Sequence, residues 1–358
     1  MLNAIGKGAF SVGYALYKTQ LGKTLLHDKT CADCANQPPH SSPIMVPLVP
    51  GYHVSVLPIL HDNYSYLIVD EASHTCLAVD PADARAVAKA IASENLALSG
   101  ILTTHTHWDH AGGNDELKRM FPDIRVYGSA EDSIPAMTDA VADGEMFWFP
   151  SRTVAEDPKL VIEVWETPCH TKGHLVFIVN EKPAVGGAAA ATGGVAPRPT
   201  PIAIFSGDTL FSGGTGKFFE GTAAQMARNL ERIAGLPNAC KLFCGHEYTL
   251  NNFKFAAAVE PDNMLVAERI AAARRLRRDR FPTMPTTVGD EVAANPYMRV
   301  VTSRAACGSI AMAMYGITGD MVFRDGRADN VHVLAELRRL RDENLLKVKI
   351  EALSHEDT

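Results

Sequence analysis

No run of about 18 apolar residues occurs in the 358-residue chain, so nothing in it reads as a membrane span. Cysteine is scarce and odd in number. Seven residues scattered over this length do not make the dense disulfide framework of a small secreted domain, and they fit a reducing compartment, which makes the cytoplasm the expected location. A basic excess is also missing: 34 Lys and Arg against 41 Asp and Glu leave a net charge of −7. A mildly acidic chain offers no phosphate-backbone footprint, so nucleic acid is not expected as a partner. The one basic cluster, Arg274 to Arg280, has no interleaved aromatic side chains for base stacking and is read as surface charge. What remains is a 46% hydrophobic, soluble globular composition of a length that suggests about two domains.

The organisation along the chain falls into three parts. Residues 1–45 carry Lys7, Lys18, Lys23 and Lys29 with no acid before Asp28 and no arginine. They read as an N-terminal extension, either disordered or an amphipathic targeting segment that would make the location mitochondrial. Cys31-Ala-Asp-Cys34 within it has no second pair at zinc spacing and is read as incidental. From Tyr52 the pattern changes to short apolar runs ending in Gly-rich polar loops: 54–60, 66–69, 75–79, 99–102, 124–127, 160–165, 175–179, 202–205 and 241–243. Each has strand length and is rich in β-branched or aromatic residues, with helices predicted over 82–95 and 222–234. The result is a mixed α/β layered domain over residues 46–248. Within it, 14 of the 19 residues from Pro183 to Pro201 are Gly, Ala or Pro, which predicts a flexible surface loop. Residues 249–358 read as mostly helical, with helices over 263–280 and 331–347 and, between them, a segment over 282–329 rich in Gly and turn residues to which the sequence assigns no elements.

Chemistry concentrates in four motifs, each directly after a predicted strand, so loops distant in sequence can converge on one sheet edge. The first is Thr103-Thr104-His105-Thr106-His107-Trp108-Asp109-His110. Alternation in an extended stretch points His105 and His107 the same way, and a turn at Asp109-His110 aims two more donors nearby. The second is Thr167-Pro168-Cys169-His170-Thr171-Lys172-Gly173-His174. The third, Ser206-Gly207-Asp208, and the fourth, Cys244-Gly245-His246, share one grammar of strand, glycine and polar donor. Cys169 and Cys244 flank donors and are expected to point away as small apolar packing.

In this order the motifs resemble the ligand set of the metallo-β-lactamase fold. The stretches TTHTHWDHAGGN (103–114), TPCHTKGH (167–174), FSGDTLFSGGTGKFFEGT (205–222), CGHEYTLNNFKFAAAVEPDN (244–263) and NPYMRV (295–300) are similar to those of the glyoxalase II, or hydroxyacylglutathione hydrolase, family. The resemblance implies an αββα sandwich followed by a C-terminal helical domain that helps bind a thiol substrate. It also implies two divalent metal ions per chain, zinc first, with iron and manganese as alternatives. One ion would take His105, His107 and His170, the other Asp109, His110 and His246, and Asp208 would bridge them. By the same resemblance the nucleophile is a hydroxide held between the ions beside the catalytic carboxylates Asp109 and Asp208. It attacks the thioester of S-D-lactoylglutathione or another 2-hydroxyacylglutathione to give glutathione and D-lactate, the second step of methylglyoxal detoxification.

Carried onto matching positions, the substrate contacts would be Lys217, Phe219, Tyr248, Arg338 and Arg341. Phe219 stands where the family commonly has tyrosine, so one hydroxyl contact is lost. Arginines at 338 and 341 would repel a cationic polyamine conjugate of glutathione and favour the plain tripeptide. A persulfide dioxygenase shares the fold but, by resemblance, uses one iron on two His and one Asp. The presence of His246 beside a complete Asp109-His110 pair argues against it. The chain is expected to act as a monomer on a small glutathione thioester.

Overall fold

The structure is a computed structural model that describes residues 20–35, 37–149, 159–183, 198–318, 323–324 and 327–343. Residues 1–19 of the extension, most of the Gly/Ala/Pro loop and the last helix beyond 343 lie outside the described residues. Seven strands lie side by side in chain order in the first sheet: β1 (Ile44–Val49), β2 (Tyr52–Ile59), β3 (Asn63–Asp70), β4 (Thr75–Val79), β5 (Ala97–Leu102), β6 (Arg125–Gly128) and β7 (Asp139–Ala140). The pairs up to β3–β4 are antiparallel and those from β4–β5 onward are parallel. Parallel neighbours need a crossover. α2 (Ala84–Ser93) supplies it between β4 and β5, and α3 (Trp108–Ala111) with α4 (Asn114–Met120) supplies it between β5 and β6. The remaining early helix, α1 (Gln20–Ala35), precedes β1.

The second sheet is built from β8 (Met146–Trp148), β9 (Leu160–Glu166), β10 (Leu175–Glu181) and β11 (Thr200–Gly207). A hairpin, β12 (Leu210–Phe211) and β13 (Gly214–Thr215), leaves the sheet before β14 (Lys241–Cys244) and β15 (Thr286–Thr287) complete it. Helices α5 (Ala223–Ala234), α6 (Thr249–Val259), α7 (Met264–Arg278), α8 (Val288–Ala294), α9 (Pro296–Thr302), α10 (Arg304–Thr318) and α11 (Asn330–Asp342), with a small hairpin of β16 (Phe323–Arg324) and β17 (Arg327–Ala328) before α11, make up the rest of the described residues.

Period-two alternation builds the layers. On β3, Tyr64, Tyr66 and Ile68 face the second sheet and meet Phe205, Phe243 and Phe177 there. Leu67 and Val69 face the other way, onto Val87 and Ile91 of α2. On β10, Phe177 and Val179 enter the inter-sheet core, while Val176 and Ile178 pack beneath Leu230 of α5, Met298 of α9 and Leu337 of α11. Helix, sheet, sheet, helix is therefore the observed layering, the predicted αββα sandwich. The C-terminal helices continue the outer layer on the second sheet.

Three features depart from the sequence reading. First, the boundary at residue 45 falls inside β1. That edge strand turns Val46 inward and leaves Met45 and Pro47 exposed, and a proline in a short run hides a strand at the sheet edge. Second, described residues ahead of β1 are packed onto the domain. The His27 ring contacts the Ala82 carbonyl oxygen at 2.6 Å, and His40 Nε2 reaches the Asn63 carbonyl oxygen at 2.9 Å. Arg277, from the cluster read as surface charge, donates to His40 O at 2.8 Å and to the Ser41 hydroxyl, while Arg280 donates to Pro39 O. Third, residues 288–318 form three helices, two of 7 residues and one of 15. Asn295 ends one and caps the next by accepting from Tyr297 N at 3.0 Å, with Pro296 in the first turn.

These late helices are tied to the sheet edge. Buried Glu291 of α8 accepts from Ser212 Oγ at 2.9 Å and Gly213 N at 2.8 Å, and Asn295 Nδ2 donates to the carbonyls of Phe211 and Gly214. The β12–β13 hairpin, which begins two residues after Asp208, is thereby held from the C-terminal side.

Candidate metal centre

Four loops at the carboxyl ends of β5, β9, β11 and β14 deliver the predicted donors to one place. After β5 the chain bends at Thr104 and Thr106, and from an extended His107 enters α3, whose first turn carries Asp109 and His110. Thr106, between the two histidines, points away: its N–H donates to Asp132 and its hydroxyl to Ser133 O. Asp132 also accepts from Thr171 Oγ1 at 2.8 Å and Gly173 N at 3.1 Å, so one buried carboxylate braces the first motif against the second. Glycine is required in the fourth motif, because a Cβ on Gly245 would lie 2.5 Å from both Asp208 Oδ1 and the His110 ring.

The donor atoms converge. His107 Nδ1 lies 3.0 Å from His105 Nε2 and 3.1 Å from His170 Nε2, and His110 Nε2 lies 3.2 Å from His246 Nε2. Asp208 stands between the groups, Oδ1 3.3 Å from His110 Nε2 and Oδ2 3.4 Å from His170 Nε2 and 3.5 Å from His246 Nε2. Asp109 Oδ2 is 3.6 Å from His246 Nε2. Donor atoms within 4.8 Å of one another form three sets: His105, His107 and His170; Asp109, His110 and His246; and His105, His110 and Asp208, which joins them.

The outer nitrogens show what the inner ones carry. His170 Nδ1 faces the Lys217 carbonyl at 3.0 Å, His110 Nδ1 faces Asp80 Oδ2 at 2.9 Å, and His246 Nδ1 faces Asp62 Oδ1 at 3.0 Å. A carbonyl or carboxylate only accepts, so each Nδ1 holds a proton, and in the neutral ring each Nε2 presents a bare lone pair to the centre. His105 does the same through Thr104 Oγ1, 3.0 Å away. Lone pairs converging at about 3 Å repel unless a cation sits among them. Two nitrogens each bonded at about 2.05 Å to a tetrahedral cation stand about 3.3 Å apart, close to the spacing seen. Oδ1 of Asp208 is buried and, among the described residues, has no hydrogen-bond partner. The donor set and this orphaned oxygen both fit a cation.

Electrostatics divides the centre. Burial, reinforced by neighbouring imidazoles, drives His105 and His107 well below the usual histidine range, and His170 is lowered chiefly by burial. Burial would lower His246 and His110 too, but the Asp208 carboxylate outweighs it, with Asp62 and Asp109 adding at His246 and Asp80 at His110. With no cation at Nε2, His246 rises to about 10 and His110 well above its ordinary value, so in the metal-free centre a proton takes the place a cation would hold. Burial opposes ionisation of Asp208 as well, yet His246 and His110 hold its carboxyl well below the usual range.

The expected substrate contacts are placed unevenly. Phe219 lies edge-on to the His107 and His170 rings, with centroids 5.7 and 5.1 Å away, and Lys217 Nζ lies 5.4 Å from the Phe219 ring centre. Tyr248 stacks on His246 at 4.6 Å. Arg341 reaches Asn252 Oδ1 at 3.4 Å and lies over Phe255. Arg338 is committed elsewhere, to Asp342 at 2.5 Å and the Thr215 carbonyl at 2.8 Å, so its charge is matched within its own helix. Residues the motifs did not single out are Asp62, Asp80 and Asp132. Asp80 ends the parallel-sheet strand β4 with a positive φ of 47°, a backbone signal that no sequence pattern carries. Cys169 and Cys244 are buried, with the Cys169 side chain in the helix-side core and that of Cys244 in the inter-sheet core, as expected.

Comparison with known proteins agrees with this architecture. The family model described as Metallo-beta-lactamase superfamily matches residues 60–246, the span that supplies all seven donors, so fold and centre place the chain in that superfamily and indicate divalent-metal binding. A second model, Hydroxyacylglutathione hydrolase C-terminus, takes over at residues 247–344. A hydroxyacylglutathione hydrolase named as cytoplasmic, from Arabidopsis thaliana, is 43% identical over 70% of this chain and 87% of its own length. A hydroxyacylglutathione hydrolase-like protein of Gallus gallus is 39% identical over 81% of this chain and 89% of its own. The chain belongs to the hydroxyacylglutathione hydrolase family. Among solved structures, a metallo-beta-lactamase from Staphylococcus aureus subsp. aureus COL aligns with a TM-score of 0.45 at 20% identity, over 78% of this chain and 67% of that one.

Proposed function

We propose that this enzyme hydrolyses the thioester of S-D-lactoylglutathione and related 2-hydroxyacylglutathiones to glutathione and the free 2-hydroxy acid. The observation that carries the reading is the pair of three-donor sets joined by Asp208, in a chain whose C-terminal part matches the hydroxyacylglutathione hydrolase C-terminus. His105, His107 and His170 would hold one divalent ion and Asp109, His110 and His246 a second, with Asp208 shared. Zinc is the first choice, and iron and manganese also suit a mixed imidazole and carboxylate set. Bound there, such ions supply Lewis acidity that polarises a carbonyl oxygen and lowers the pKa of water toward about 7.

The side chains do the rest. Asp109, the one donor of the seven that is not fully buried, can accept a hydrogen bond from incoming water and orient it. Asp208 keeps its charge, and its two oxygens hold the two sets at fixed separation. Phe219 walls the imidazole side, placing Lys217 beside it, and the glycine carboxylate of the tripeptide would pair with Lys217 or Arg341. Burial and the nearby Asp62, Asp208 and Asp109 carboxylates push the Tyr248 phenol up, so it stays a neutral hydrogen-bond donor. A thiol with a pKa of about 8.5 departs as thiolate without a proton donor at its sulfur. All seven cysteines are free, which suits a reducing, glutathione-rich cytoplasm.

The purified chain should remove the thioester absorbance of S-D-lactoylglutathione near neutral pH, and Asp208→Asn should abolish turnover with the fold kept. Near-full turnover by that variant would sink the shared-donor reading.

A further inference from the structure

His174 sits within the second motif and is fully buried among the donors, yet neither of its nitrogens is free for a cation. Its Nε2 lies 3.1 Å from the backbone N of Asp208. An amide N–H can only donate, so Nε2 is the acceptor and the ring proton is on Nδ1. Nδ1 faces the hydroxyls of Thr167 and Thr209, each 3.1 Å away, and these stand 2.8 Å from each other. One donor chain satisfies all of these contacts: Nδ1–H to Thr209 Oγ1, the Thr209 hydroxyl to Thr167 Oγ1, and the Thr167 hydroxyl to the His174 carbonyl at 3.4 Å. The ring also stacks on His105, centroids 4.8 Å apart and planes 24° from parallel. On the other side of the same amide, Gly207 turns at φ +48°, where a Cβ would lie 2.5 Å from Thr104 Oγ1 and 3.0 Å from His174 Nε2.

We propose that His174 is a positioning residue that aims Asp208: its Nε2 grips the Asp208 amide and fixes the direction in which the carboxylate leaves the Gly207 turn. The inference rests on the reading of Asp208 as the donor shared by two ions. The geometry separates two roles of one ring. Nδ1 belongs to a buried hydroxyl network, a packing role. Nε2 belongs to the residue whose two oxygens reach His110, His170 and His246. Asparagine places its amide NH2 near the position of Nδ1 and keeps only the first role, whereas glutamine places its oxygen near Nε2 and keeps the second.

The test uses the full chain stripped of metal and titrated with zinc or cobalt, with bound metal per chain, unfolding midpoint of the stripped protein, and kcat and KM as readouts. His174→Gln is expected to take two ions with affinities within a few-fold of the parent. His174→Asn is expected to lose about 10–100-fold in affinity for one ion and to lose kcat more than it raises KM. Thr209→Val, which removes a partner of Nδ1 and leaves Nε2, is expected to bind like the parent. Parent-like binding by His174→Asn, binding by His174→Gln no better than by His174→Asn, or a loss by Thr209→Val as large as that of His174→Asn would each overturn the proposal. A parent chain that takes only one ion, or an Asp208→Asn chain that still takes two, would instead sink the shared-donor reading, so the two failures are distinct.

Discussion

The two donor sets occupy one sheet edge, but they are braced by opposite chemistry. In the imidazole set, His105 and His170 give their outer N–H to neutral oxygens, Thr104 Oγ1 and the Lys217 carbonyl. In the mixed set, His110 and His246 give theirs to carboxylates, Asp80 and Asp62. A carboxylate behind an imidazole makes the ring a stronger donor and locks its tautomer. The mixed set also contains Asp109 and shares Asp208, so negative charge is concentrated on that side and overcomes at His110 and His246 the burial that lowers His105 and His107. The sides are not insulated. Thr104 Oγ1 donates to Asp80 Oδ2 at 2.6 Å while facing His105 Nδ1, so Asp80 braces His110 directly and His105 through one hydroxyl. One half of the centre is built for charge and the other for shape, and Asp80 is the hinge between them.

Asp80→Asn should break the comparison most. Asp80 Oδ1 accepts from Thr104 N at 2.8 Å, so an amide oxygen will keep that place and turn its NH2 toward His110 and the Thr104 hydroxyl. A donor would then face His110 Nδ1–H. Relief requires the His110 proton to move to Nε2, the nitrogen aimed at the centre, which removes a donor. The expected result is about 10–100-fold weaker binding of one ion, with the other retained, read as metal per chain against a competing chelator. Because Asp80 is only 4% exposed, water cannot repair the mismatch. Equal weakening of both ions would show that the two sides are one unit.

Much of this centre was legible in the sequence because its donors follow strands in motifs whose spacing survives without the fold. His105 and His107 point alike through simple alternation, and Thr222 and Asn263 cap the helices that their positions announced. The bracing was not legible. Asp62 lies in the β2–β3 turn and reaches His246 across 184 positions, and Asp80 reaches His110 across 30, so neither shares a local pattern with its partner. Arg338 and Arg341 looked equivalent on one helix. Only packing shows that Asp342, one turn on, neutralises the first while the second lies over Phe255. β1 escaped for a local reason, since Pro47 interrupts a short apolar run that carries no polar alternation. The two helices of 288–302 escaped because seven-residue helices are too short to set up a period, and α10, though 15 residues long, carries Gly308 and Gly316 inside it, which weakens its helical signal.

Asp62→Asn sharpens the comparison with a smaller effect. The same mismatch arises at His246, but Asp62 is 44% exposed, so an asparagine can rotate and water can take the proton. A loss of about tenfold or less in affinity for the ion at the mixed set is expected, on the low side of what outer partners contribute. If it equalled Asp80→Asn, burial would not be what separates the two carboxylates.

Of the three bracing variants, Thr104→Val has the smallest effect on cation binding, and it decides whether neutral bracing matters. Valine keeps the shape but leaves His105 Nδ1–H without its acceptor in a fully buried place and removes one of the donors to Asp80. A buried unsatisfied donor costs about 1–3 kcal/mol, which should appear as a lower unfolding midpoint of the metal-free protein. Since no charge is lost and His105 still presents Nε2, affinity for the ion at the imidazole set should change only a few-fold. A stability loss without a metal loss is what a shape-built half predicts. A metal loss as large as that of Asp80→Asn would mean that Thr104 carries the Asp80 charge across to His105, and that the imidazole side is braced by a carboxylate after all.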